Sequence, residues 1–124
     1  MKIYESAEDY LEMILVLKRK KGTVRSIDIA HEMNFSKPSV SIAMKKLREE
    51  GLITINERHE IDLTPTGREI AERIYERHVI ISEILMKIGV EETTAVKEAC
   101  RIEHVISQDS FEKLKAAARQ GLIS

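Results

Sequence analysis

The stretch from Ser26 to Ile53, SIDIAHEMNFSKPSVSIAMKKLREEGLI, constrains this chain more than any other. Ile27, Ala30 and Met33 recur at helical spacing, Asn34 and Phe35 break the pattern, and Val40, Met44 and Leu47 resume it. Two short helices joined by a tight turn are predicted, which is helix-turn-helix anatomy. Ser36 is a natural N-cap, and Pro38 falls in the first turn, where the missing backbone donor costs nothing and the fixed φ suits a helix. The outward positions Lys37, Ser39, Ser41, Ile42, Lys45, Lys46 and Arg48 mix hydroxyl, methyl and cationic groups suited to phosphates and base edges. The second helix is therefore expected to enter a major groove.

Gly51 closes that helix, and Leu52-Ile53-Thr54-Ile55 follows as a short β-branched run. Asn56 to His59 is polar turn material, and Glu60-Ile61-Asp62-Leu63 alternates like a half-buried returning strand. Thr64 is placed as an N-cap with Pro65 at the first helical position. Helix, helix, hairpin and helix in this order is the winged version of the motif. Arg25, at the entry to the first of the paired helices, and Arg58, in the hairpin turn, join Ser36, Lys37, Pro38, Ser39, Ser41, Lys45 and Lys46 as expected DNA contacts.

With 124 residues the chain can bury one moderate core, or a small domain with an appendage, but not an elaborate enzyme fold. A net charge of -1 excludes a coat of positive charge, so nucleic-acid contact must come from a local basic face. Lys18, Arg19, Lys20, Lys21 and Arg25 offer one such face, or only a solvated helix end whose cations complement the dipole. A lone cysteine rules out an intramolecular disulfide framework, and with no signal peptide or long apolar run a reducing cytoplasm is expected.

Ser6-Ala7-Glu8-Asp9 resembles a capping signature, opening a first helix over about 6–20 with Tyr10, Met13, Ile14 and Leu17 as its buried stripe. Asp9 and Glu12 stand at i and i+3, close enough to converge on one cation, although acids are also favoured there by the helix dipole. A long helix is expected from Pro65 to Lys87, with His78 in the apolar stripe of Ile70, Ile74, Ile81 and Leu85. That histidine is either satisfied by a neighbour or a ligand. Gly89 reads as a helix stop, followed by helices over Thr93 to Ile106 and Asp109 to Arg119. Within CRIEH, Cys100, Glu103 and His104 lie at i, i+3 and i+4, so sulfur, carboxylate and imidazole share one helical face. Such spacing can hold a divalent metal; alternatively Cys100 is only an apolar filler.

At EDYLEMIL, IAHEMNFSKPSVS, LTPTGREIA, the Arg77-His78 pair and EACRIEHVIS the chain resembles the DtxR/MntR family of metal-dependent transcriptional repressors, over nearly its whole length. The resemblance implies a mainly α fold: a winged helix-turn-helix domain over 1–72 with a small β-hairpin wing, then a helical metal-binding and dimerisation domain over 73–124. It implies a non-enzymatic repressor of metal-ion homeostasis that binds palindromic operator DNA as a homodimer with Mn(II) or Fe(II), and Zn(II) or Co(II) in vitro. Asp9, His78, Cys100, Glu103 and His104 take ligand positions, and Glu12 matches a ligand of the manganese branch. Cys100 stands where that branch has a glutamate and the iron branch a cysteine, so the set is a hybrid. Ser82 and Val96 depart from the family's carboxylate and second-site histidine, and Ile42 replaces a polar residue of the iron branch. Ending at Ser124, the sequence stops short of the SH3-like third domain of long members. The rival readings are a metal-independent winged-helix repressor, a metallo-enzyme built on the Cys/Glu/His cluster, and a protein-binding module.

Overall fold

The computed structural model describes residues 5–121. They form two compact units, one running through Glu72 and the other from Arg73. The element order is α1 (Glu5–Lys21), α2 (Ser26–Met33), α3 (Lys37–Glu49), β1 (Ile53–Ile55), β2 (Ile61–Leu63), α4 (Pro65–Lys87), α5 (Glu92–Val105) and α6 (Gln108–Arg119). No helix among the described residues is long and apolar enough to cross a membrane.

In the first unit α1 packs on α2 and β2, and α3 packs on α2 and β1. Helix α1 buries Tyr10, Leu11, Ile14, Leu15 and Leu17, a broader stripe than the expected one, in which Met13 is only half-buried. Ser6 lies inside the first turn and not ahead of it. In α2 the buried residues are Ile29 and Ala30, whereas Ile27 is exposed. Eight residues make barely two turns, so the apolar spacing alone could not fix which side of α2 turns inward. Asn34 ends the helix in the left-handed region at φ 56°, a conformation its short amide side chain tolerates.

Ser36 caps α3, its hydroxyl accepting from the Ser39 amide at 3.3 Å, and Val40, Met44 and Leu47 are buried as the pattern requires. Gly51 takes φ 75° after the last turn. The strands pair antiparallel with Ile53 opposite Leu63 and Ile55 opposite Ile61. Asn56 holds the wing: its Oδ1 accepts from the amides of Arg58 and Glu60, both at 2.9 Å. Thr64 then closes the unit with one hydroxyl, donating to the Gly51 carbonyl at 2.8 Å and accepting from the Gly67 amide at 3.1 Å.

Three cations near the end of α1 are engaged with acids of this unit: Lys18 with Asp62 at 3.1 Å, Arg19 with Glu72 at 3.4 Å and Lys21 with Asp28 at 2.9 Å. They fasten the unit together, so three of the five cations of the basic cluster have a structural duty within it. Asp28 also accepts from the Arg25 amide at 2.9 Å. The bond from Lys21 and that from Arg25 hold its carboxyl below the usual carboxylate range.

In the second unit Ile74, Ile81, Ile84, Ala95, Ala99 and Phe111 are buried. Gly89 is left-handed at φ 105° and ends α4, with the Val90 amide returning to the Leu85 carbonyl. Ser107 caps α6 by accepting from the Ser110 amide at 3.0 Å.

Two outcomes follow for stability. A Cβ on Gly67 would sit 2.0 Å from the Leu52 carbonyl oxygen, a backbone atom that cannot swing aside. Gly67→Ala is expected to destabilise the protein by about 2 kcal/mol or more in urea unfolding. Asp28→Ala is expected to cost about 1 kcal/mol at neutral pH. Because the folded-state pKa of Asp28 lies below the ordinary 3.8, that contribution is present above this value and fades as pH falls through the folded pKa. The gap between wild type and Asp28→Ala should therefore close in acid.

Candidate metal centre and DNA-reading face

Helix α4 carries Arg77 and His78, and α5 carries Cys100, Glu103 and His104. The i, i+3 and i+4 spacing places the last three along one side of α5. The structure brings His78, Cys100 and Glu103 together, with one ligand atom from each inside 4.8 Å of the others. Atoms sharing one transition-metal ion at bond lengths of about 2.0–2.3 Å are separated by no more than twice that length. The His78 Nδ1 lies 3.6 Å from the Cys100 sulfur and 3.2 Å from the Glu103 Oε2, both inside that limit, so these atoms could share one ion with small side-chain adjustment.

The Glu103 side chain is 0% exposed, a rare state for a carboxylate. The His78 Nδ1 lies 3.2 Å from its Oε2, and the His104 Nε2 lies 3.4 Å from its Oε1. Among the described residues, however, neither oxygen has a partner in hydrogen-bonding geometry. A buried carboxylate with correctly distant but misdirected imidazoles is arranged for something other than a hydrogen bond, and a cation between these groups would satisfy both oxygens. The donor set of imidazole, sulfur and carboxylate fits a divalent transition metal.

Cys100 is exposed, so it is not the apolar filler that its residue type allows. Its sulfur lies 3.6 Å from the His78 Nδ1. That hydrogen bond first, and the Glu103 carboxylate second, push the His78 pKa from 6.5 to about 10 against the opposing effect of burial. His104 is held close, its side chain 1% exposed.

Behind the cluster stands Arg77, which the sequence quoted beside His78 without a role. It is buried, and its Nη1 donates to the carbonyls of Glu103 at 3.1 Å and Ile106 at 2.8 Å. Its Nη2 donates to the Gln108 Oε1 at 2.8 Å, and the guanidinium lies 5.6 Å from the centre of the Phe111 ring. A cation on the final carbonyls of α5 complements the helix dipole and fixes the backbone that carries Glu103. No sequence signal marks this role, because the carbonyls that Arg77 binds lie 26 and 29 residues away.

Asp9 and Glu12 belong to the first unit. They project from α1 with carboxylate oxygens within 4.8 Å of each other, as the i, i+3 spacing requires. Ser82 is buried with its hydroxyl lacking a hydrogen-bond partner among the described residues, and Val96 is exposed.

On the first unit, Arg25, Ser36, Lys37, Pro38, Ser39, Ser41, Lys45, Lys46 and Arg58 are all exposed. The Arg25 Nε donates to the Arg58 carbonyl at 3.1 Å, which ties the entry of α2 to the wing turn. Ser26, Ser41, Lys45, Arg48, Ile55 and His59 line a groove of about 220 Å³ beside α3. Hydroxyls and cations in such a groove suit a phosphate backbone.

The model of the iron-dependent repressor N-terminal DNA-binding domain matches residues 2–60, and that of the iron-dependent repressor metal-binding and dimerisation domain matches residues 64–120. The chain belongs to the iron-dependent repressor family. This repressor is a metal-responsive DNA-binding transcriptional regulator and not an enzyme. It is 32% identical over 116 residues to the transcriptional regulator MntR of Salmonella typhimurium, covering 94% of this chain and 74% of that one. An uncharacterised HTH-type transcriptional regulator of Methanocaldococcus jannaschii is 34% identical over 113 residues, 90% of each chain. The solved structure of the manganese regulator SloR superposes with a TM-score of 0.82 at 29% identity, over 96% of this chain but only 55% of that one.

A protonated His78 contributes to stability fully below 6.5, and this contribution is lost as pH rises through about 10. An ion bound at Nδ1 displaces that proton, so uptake at neutral pH is expected to release about one proton from His78 per ion. Calorimetry in two buffers of different ionisation heat should detect that release and find it smaller by about one proton per ion in His78→Ala.

Proposed function

We propose that this repressor binds a palindromic operator as a homodimer when Mn(II) or Fe(II) is held by His78, Cys100, Glu103 and His104, with Asp9 and Glu12 as the remaining ligands. The observation that carries this reading is the solvent-free Glu103 carboxylate, whose oxygens face imidazoles without hydrogen-bonding to them. The inclusion of Asp9 and Glu12 is supported by their family positions and by their paired carboxylates on α1. A divalent ion held there would supply the compensating charge for the Glu103 carboxylate.

The chain's own residues do the rest. Arg77 steadies the Glu103 backbone, and Val40, Met44 and Leu47 seat α3 so that its cations and hydroxyls face outward. Met86, Ile88, Val96 and Val105 leave apolar surface exposed on the second unit, which suits burial against a second copy. Two recognition helices on a palindrome need a separation of about 34 Å, one DNA turn. A tenfold gain in DNA affinity on metal binding corresponds to about 1.4 kcal/mol of coupling, and DNA must tighten metal binding by the same factor.

The carboxylates suit Mn(II), while the Cys100 sulfur moves preference toward Fe(II), and toward Zn(II) or Co(II) in vitro. Mobility shifts on a palindromic operator should appear with Mn(II) or Fe(II), vanish with chelator, and weaken at least tenfold in Asp9→Ala and His104→Ala, about 1.4 kcal/mol. Cys100→Glu is expected to move the preferred ion toward Mn(II). DNA binding unchanged by chelator would remove metal from the account.

A further inference from the structure

Among the described residues of the first unit, Ile42 is the most exposed large apolar side chain, at 71% against 52% for Ile27 and 48% for Phe35. Phe35 is accounted for by an edge-on contact with Tyr10 at 6.0 Å between ring centroids. Ile42 has no such explanation. It lies near the middle of α3, on the side opposite Val40, Met44 and Leu47, so the core has no claim on it. Its helical neighbours at i−4, i−3, i+3 and i+4 are Pro38, Ser39, Lys45 and Lys46, all exposed. An isolated branched alkyl group is thus surrounded by a proline, a hydroxyl and two ammonium groups. Like charges on a second copy would repel this face, and a flat apolar partner would have to desolvate both lysines. A DNA groove satisfies all of these groups at once, with phosphates for the lysines and one exposed methyl for the isoleucine. That methyl is the C5-methyl of thymine, an apolar mark in the major groove.

We infer that Ile42 is a specificity-determining residue that reads a thymine methyl in each operator half-site. This rests on the DNA-binding role stated above. Lys37 opens α3 and Lys45, Lys46 and Arg48 follow Ile42, so cations stand on both sides of Ile42 along the helix, with the acids Glu49 and Glu50 only at its far end.

The test uses the full chain loaded with Mn(II) and a pool of random-sequence duplexes from which bound DNA is selected. Selected sites should carry a thymine at one fixed position per half-site. Replacing that thymine by deoxyuridine removes the methyl alone and should weaken binding about three- to tenfold. Ile42→Ala should bind both versions equally, and Ile42→Gln should select a different base there. Equal affinity of the wild type for thymine and deoxyuridine at every position overturns the inference with DNA binding intact, as does undiminished methyl sensitivity in Ile42→Ala. If metal-loaded wild type enriches no sequence from the pool, the DNA-binding role fails and the inference falls with it. Because deoxyuridine alters only the DNA, the decisive comparison does not depend on the folding of any variant.

Discussion

A carboxylate sealed from water must find its compensating charge inside the protein. Glu103 is such a group, and much of the second unit is arranged around it. Imidazoles from two helices face its oxygens, a buried guanidinium holds its carbonyl, and the same guanidinium binds the start of α6 through Gln108. In the metal-free chain a proton on His78 supplies part of the missing positive charge. The arrangement is thus tolerable without metal yet incomplete, which is what a sensor requires: a site satisfied by its own hydrogen bonds would gain little from an ion.

The first unit solves a different problem, that of presenting a polar helix at a fixed angle. Three buried residues on one side of α3 seat it on the core, Ser36 fixes where it begins, and Gly51 lets the chain leave it for the wing. Thr64 and Gly67 then bring the start of α4 against Leu52 so closely that no side chain fits between. The outer side of α3 faces away from the core, with Ser41, Ile42 and Lys45 exposed on it. Its chemistry can follow the DNA, which is why an exposed isoleucine there is informative.

Much of this was legible in the sequence because it depends on local rules. The limits of α4, the caps at Ser36 and Thr64, the hairpin and the stripe Val40, Met44 and Leu47 all follow from spacing and residue type. So does the convergence of Cys100 and Glu103 on one side of α5, and the stripe on α4 singled out His78. What stayed hidden depends on tertiary context. The pattern on α2 could not show that Ile29 turns inward while Ile27 remains in water. The basic run ending α1 could be a nucleic-acid face or a solvated helix end, and spacing alone could not show that three of its cations pair with Asp62, Glu72 and Asp28. Arg77 was invisible as a support because the carbonyls it binds lie 26 and 29 residues away.

The cluster is also lopsided: Glu103 is shut in while Cys100 reaches solvent. Were an ion held by these residues, a dissolved thiol or carboxylate could reach it from the sulfur side without the helices parting. Exchange of an ion held there would then depend on small chelating molecules in the surrounding fluid, without any need for the second unit to unfold.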